Sequence, residues 1–82
     1  MHEAGIARRL AEIVNERAAR AGATHVSAVH LEIGEESDVS PESLELYWPD
    51  VTRATPAAAA RLLVSRSADD PFACRVVAVD AD

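Results

Sequence analysis

An amphipathic helix over residues 4–21 is the feature that most constrains the fold of this chain. Apolar side chains recur there at steps of three and four and form one stripe, made of Ile6, Leu10, Ile13, Val14, Ala18 and Ala21. Gly22 follows directly and predicts the helix end, because glycine readily adopts the left-handed conformation. A chain of 82 residues forms only one small core, so every other element must pack on this stripe.

Alternating side chains predict a strand over residues 24–33. One face carries Ser27, Val29, Leu31 and Ile33, and the other carries Val26, Ala28, His30 and Glu32. The first set is the more apolar, so we expect it to face the helices.

A second helix is predicted after the loop "GEESDVS". Ser40 is a typical N-cap and Pro41 suits the first helical position. The buried stripe is expected to comprise Leu44, Tyr47, Trp48 and Val51. Pro49 lacks an amide donor and crowds the carbonyl of Glu45, so we expect a kink or two short helical pieces.

The remaining sequence predicts two strands, "RLLVSR" and "FACRVVAVD", with the turn sequence "SADDP" between them. We assign at most one helical turn to residues 56–59 and expect the two strands to flank a short hairpin connection. The fold class is therefore α/β (α+β), in a small single domain over residues 1–82. Its order is α-β-α-β-β, with two helices packed on a three-stranded sheet.

Charge and composition argue against several functional classes. The net charge is −6 and there is no lysine, which disfavours binding to nucleic acid or to anionic membranes. No stretch approaches the roughly 20 apolar residues of a membrane span, and no signal-peptide pattern is visible. We therefore expect a cytoplasmic protein.

The polar and reactive residues within the chain do not suggest an enzyme. Cys74 is the only cysteine, so neither an internal disulfide nor a Cys-x-x-Cys zinc site is available, and we interpret it as a small buried hydrophobe. His25 and His30 are expected on opposite faces of a strand and cannot share a metal. The "EESD" sequence is typical of a solvated loop, and no catalytic or phosphate-binding motif is present.

The first three residues form a possible ligand set for a transition metal. The Met1 α-amine has an ordinary pKa of about 8, and the His2 amide and imidazole follow it directly. Together they can close fused chelate rings, which the Glu3 amide or carboxylate, or a loop carboxylate, would complete. Planar nitrogen and oxygen coordination favours Ni(II) or Cu(II), and Cu(II) should win on affinity alone. A lone histidine near a chain end is more often a solvated residue, and that alternative stays open.

Five sequence segments together resemble the hydrogenase nickel-incorporation protein family HypA/HybF. They are "MHE", "ARRLAEIV", "VSAVHLEIGEESDVSPESL", "TRATPAAAARLLV" and "FACRVVAVD", and they cover nearly the whole chain in order. The resemblance implies two helices on a mixed three-stranded sheet. It also implies Ni(II) bound by the Met1 amine, His2 and Glu3.

The resemblance further implies an additional acidic ligand in some members, from the loop before the second helix. Ser40 stands at the position we align with it, and Asp38 and Glu36 are weak candidates nearby. Family members normally carry a zinc-binding lobe between the last two strands. Here a short turn near residues 66–71 replaces it, so no structural zinc is expected.

Two functions are consistent with these features. The first is a nickel-binding, metallochaperone-like accessory protein that serves [NiFe]-hydrogenase maturation. The resemblance implies the hydrogenase large subunit and a HypB-like maturation GTPase as partners. The second is a non-metal interaction module of the same family, acting as adaptor or regulator. Open sheet edges also allow a homo-oligomer.

Overall fold

The computed structural model of the chain describes residues 3–82. Helix α1 spans Glu3–Arg20, which confirms the predicted helix to within one residue at each end. Gly22 has φ of +71° and terminates it as expected. The Ala23 N–H donates to the Ala18 carbonyl at 2.9 Å and the Gly22 N–H to the Ala19 carbonyl at 3.0 Å, which is a Schellman cap.

The buried face of α1 differs slightly from the predicted stripe. It comprises Ala7, Leu10, Ala11, Val14 and Ala18, with Ile6 and Ile13 partly buried beside them. Ala21 lies beyond the last helical residue and is exposed, so its assignment to the stripe was wrong. Small alanines at the helix contact let α1 approach the sheet and the second helix closely.

Three strands form the sheet: β1 (Val26–Ile33), β2 (Arg61–Arg66) and β3 (Cys74–Ala81). Their order is β2-β1-β3, with β1 parallel to β2 and antiparallel to β3. The mixed three-stranded sheet is confirmed. The expected hairpin between the last two strands is wrong, because β1 lies between them and both pair with it.

The connection from β2 to β3, residues 67–73, crosses the end of β1. The Ser67 N–H donates to the Ile33 carbonyl at 3.2 Å, and the Gly34 N–H donates to the Ala73 carbonyl at 2.8 Å. A Cβ at position 34 would lie 2.3 Å from the Pro71 carbonyl carbon, so the crossing requires glycine there. This close approach holds the connection against the segment that leads to the second helix.

A bulge in β1 alters the predicted sheet faces. Val29, Leu31 and Ile33 are buried as expected, but Ser27 is exposed and Val26 is fully buried. The pairing with β3 shifts between Val26 and Ala28, so Ser27 is an extra residue and the alternation changes phase. The assignment of Ser27 inward and Val26 outward was therefore wrong.

Helix α2 spans Pro41–Val51 and confirms Ser40 as its N-cap. The Ser43 N–H donates to Ser40 Oγ at 3.1 Å, and the Ser40 N–H donates to Ser43 Oγ at 3.1 Å. The helix is continuous through Pro49 and is not divided into two pieces. Trp48 Nε1–H donates to the Ala57 carbonyl at 3.1 Å, which fixes the turns over residues 56–59 to α2.

Both helices pack against one face of the sheet. A single buried cluster joins α1, α2 and the inward side chains of β1, including Val14, Leu44, Trp48, Val29 and Leu31. The other face of the sheet is open and carries charged side chains. Among residues 3–82, no helix combines the length and apolar character that crossing a bilayer requires.

Candidate metal centre

Of the predicted N-terminal ligand set, the structure describes only Glu3. Met1 and His2 lie outside the described residues. Glu3 is the first residue of α1 and is exposed, as are Ala4 and Gly5. A carboxylate in the first turn is stabilised by the helix dipole.

The first turn of α1 extends past the hydrophobic core. Ile6 is the first residue of the helix that is partly buried, and Ala7 is the first that is fully buried. From Ala7 to Ala18 the helix is fixed to the core at five positions. Glu3 therefore begins a helix that is anchored in the core, and it remains open to solvent.

The two weaker candidates, Glu36 and Asp38, lie in the loop between β1 and α2, and both are exposed. The Glu36 backbone N–H donates to the Pro71 carbonyl at 2.6 Å, so the loop is held by the β2–β3 connection. Ser40, which we align with the additional acidic ligand of some relatives, uses its hydroxyl to cap α2.

No group of three or more His, Cys, Asp and Glu side chains within residues 3–82 is arranged to hold a metal ion. Glu3, Glu36 and Asp38 are thus not brought together in such a group. The predicted site at Met1, His2 and Glu3 depends on two residues outside this range and stays a prediction.

The two internal histidines lie in different surroundings. His25 is exposed just before β1. His30 is half-buried on the open face of the sheet, where its Nε2 lies 3.0 Å from Asp80 Oδ2. His30 is therefore a partly covered surface residue.

Cys74 begins β3 and is half-buried against the core, a little more open than predicted. Burial raises the pKa of the Cys74 thiol above its ordinary value, and a hydrogen bond with Ser37 lowers it in part. The thiol therefore keeps its proton at neutral pH, whereas metal binding requires the thiolate.

Sequence reasoning missed a groove of about 470 Å³ at the carboxyl end of β1. It is lined by Ile33, Gly34, Glu35, Ser37, Val39, Ser40, Pro41, Val64 and Arg66. An ion pair of 3.3 Å between Arg66 and Glu35 lies beside it. Its residues come from two separate stretches of the chain, 33–41 and 64–66, and no local motif signals their meeting.

The fold of this chain matches that of a solved structure. It resembles the solution structure of the Ni metallochaperone HypA from Helicobacter pylori with a TM-score of 0.84, over 99% of this chain and 97% of that chain. The two sequences are 14% identical, so this likeness establishes a shared fold.

The sequence comparisons establish the family. The family described as "Hydrogenase/urease nickel incorporation, metallochaperone, hypA" matches residues 1–77, and the chain belongs to it. The hydrogenase maturation factor HypA of Deinococcus radiodurans is 38% identical over 66 residues, covering 80% of this chain and 55% of the relative. That of Geotalea uraniireducens is 41% identical over 66 residues, covering 80% and 57%. The chain thus spans about half the length of the curated relatives it matches.

Proposed function

We propose that this chain is a non-catalytic, nickel-binding accessory protein that serves the maturation of a [NiFe]-hydrogenase in the cytoplasm. The observation that carries the proposal is the family match over residues 1–77, which includes the initial "MHE". The hydrogenase large subunit and a HypB-like GTPase are the partners this role implies.

The proposed ligands are the Met1 amine, the His2 amide and imidazole, and Glu3. They are consecutive in sequence, so chelation needs no contact between distant parts of the chain. Glu3 begins a helix whose next turns pack one face into the core, and this gives the chelate a rigid support. A cation at a helix N-terminus is disfavoured by the dipole, but Ni(II) that displaces two amide protons adds no net charge there.

Nickel binding by this set weakens on acidification. The amine and the imidazole bind the metal only in their neutral forms, so protons compete with Ni(II) for both. The same competition provides a route to release without any change in fold.

A Ni(II) titration of the untagged chain tests the proposal. We expect the d–d absorption of a planar nitrogen site, and its loss both in His2→Ala and in a chain with one extra residue ahead of Met1. His25→Ala is the matched control, because His25 is exposed and outside the proposed site, and it should bind as the parent does. Glu3→Gln removes the carboxylate but keeps the backbone amide, so retained absorption would exclude the Glu3 carboxylate as a required ligand.

Equal nickel binding by His2→Ala, the extended chain and the parent would refute the site. A parallel Cu(II) titration should give tighter binding at the same ligands, as the general affinity order requires.

We also propose that residues 67–73 stand where other family members carry a zinc-binding lobe, and that this chain holds no structural zinc. The connection is seven residues long and contains no cysteine. Cys74, which follows it, packs against the core as the first residue of β3.

A second candidate function is a docking module that binds no metal. The open face of the sheet favours it, because Leu63 and Val77 are exposed there and flank charged residues. This candidate predicts that the nickel titration gives no specific signal at the amino terminus.

A further inference from the structure

The outer edge of β3 is open to another strand. Within residues 3–82, β3 pairs with β1 alone. Val76 lies opposite Leu31 and Ala78 lies opposite His30, so Val77 is an extra residue between them. It forms a β-bulge, and its side chain is 56% exposed.

The bulge places Arg75 and Asp80 on the same face of the sheet. Arg75 pairs with Glu32, and Asp80 Oδ2 lies 3.0 Å from His30 Nε2, both on the open face. Residues five apart in a regular strand point to opposite faces, so Arg75 and Asp80 share a face because of the extra residue between them. The side chains of Arg75 and Asp80 are 53% and 58% exposed, so each retains surface for a further partner.

One antiparallel register between two copies of β3 matches their faces throughout. With Arg75 opposite Asp80 of a second copy, Val76 lies opposite Val79 and Val77 lies opposite Ala78. Directly opposed residues share a face in an antiparallel pair. Outward side chains then meet outward ones, and inward Val76 meets inward Val79. A shift of one residue would oppose inward to outward side chains.

The bulge and the edge charges, which normally oppose the pairing of edge strands, favour the pairing of two β3 strands. A bulge normally protects an edge strand, but an identical copy brings the same bulge to the same point on the two-fold axis. The charges also alternate across the contact, from Glu32 to Arg75 and then to Asp80 of the second copy. The symmetry produces this row twice.

The other edge of the sheet lacks such complementarity. Strand β2 carries Arg61 and Arg66 and no acidic residue. Pairing two copies of β2 would gather four arginines at one contact, and their repulsion would oppose it.

We propose that the chain forms a two-fold dimer by antiparallel pairing of β3, with Arg75 of each copy opposite Asp80 of the other. The result is a continuous six-stranded sheet of order β2-β1-β3-β3-β1-β2. Exposed Val77 is covered by the second copy. The dimer does not depend on nickel and is independent of the proposed metal site.

Sedimentation velocity of Arg75→Glu, Asp80→Arg and their mixture tests the dimer, over about 10 µM to 1 mM protein. Arg75→Glu opposes Glu to Asp80, and Asp80→Arg opposes Arg to Arg75, so each variant alone should dimerise at least about tenfold more weakly than the parent. In an equimolar mixture both pairs are complementary again, and a heterodimer should form. Arg61→Glu, on the opposite edge, is the control and should dimerise as the parent does.

Circular dichroism of each single variant establishes that it is folded, and restoration by mixing cannot arise from misfolding. The proposal is overturned if the parent stays monomeric over the whole range. It is equally overturned if either single variant dimerises as the parent does, if the mixture does not restore the dimer, or if Arg61→Glu abolishes it.

Discussion

At the scale of single residues, Cys74 makes the stability of this domain depend on pH. Burial raises the pKa of its thiol, and Ser37 offsets the change only in part. The folded chain therefore holds the thiol proton to higher pH than the unfolded chain does. The corresponding stability is fully present below the ordinary thiol pKa of about 8.5 and is lost as pH rises through the raised value.

We predict that the free energy of unfolding falls more steeply between about pH 8 and pH 10 in the parent than in Cys74→Ala. Cys74→Ala also loses packing, but that loss is the same at every pH and does not change the slope. Urea unfolding of both proteins across this range measures the difference. Parallel pH profiles would show that the thiol titrates alike in the folded and unfolded chains.

Individual residues also mark the limits of inference from sequence. Gly22 and Ser40 were predicted to end one helix and begin the next, and both do so through local hydrogen bonds. The burial of Val26 was not predicted, because it follows from a bulge whose partner strand begins at residue 74. Helix caps can be predicted from the local sequence, whereas the face to which each side chain of a strand points depends on the strand that pairs with it.

At the scale of secondary structure, the order α-β-α-β-β was predictable because each element has its own periodicity. The arrangement of β2 and β3 was not. Their short separation suggested a hairpin, but both strands pair with the central strand β1 instead of with each other. The crossing requires a glycine at position 34 beside Pro71, and these two residues are distant in sequence.

Gly34→Ala should therefore destabilise the fold by about 1–3 kcal/mol, because the new Cβ would collide with the Pro71 backbone and the crossing would have to shift. Thermal or urea unfolding measures the loss. Gly22→Ala is the matched control. Its φ of +71° strains alanine, but no atom beyond the two neighbouring residues lies within 4 Å of the added Cβ, and we expect a cost of about 1 kcal/mol.

If Gly34→Ala proves no more destabilising than Gly22→Ala, the connection is not held against β1 as described. A larger loss in Gly34→Ala, with the unfolding transition still cooperative, supports the crossing as a specific constraint on the fold.

At the scale of the whole molecule, the family and the fold agree with what the sequence implied. The proposed N-terminal ligand set and the groove at the end of β1 differ in how readily sequence reasoning finds them. The proposed ligands are adjacent in sequence, so their chemistry could be inferred without a fold. The groove lined by Arg66 is assembled from two stretches of the chain that are distant in sequence, so it is seen only in the folded structure. The acidic loop residues Glu36 and Asp38 are placed but not joined into a ligand group within residues 3–82.

The central claim is that nickel binds at the start of the chain through nitrogen and oxygen, and the X-ray absorption spectrum at the nickel edge tests it most directly. For the untagged chain with one equivalent of Ni(II), we predict about four nitrogen or oxygen ligands in a plane. Scattering from one imidazole should be present, should disappear in His2→Ala and should persist in His25→Ala. A spectrum with a sulfur ligand, or one that His2→Ala leaves unchanged, would contradict the claim.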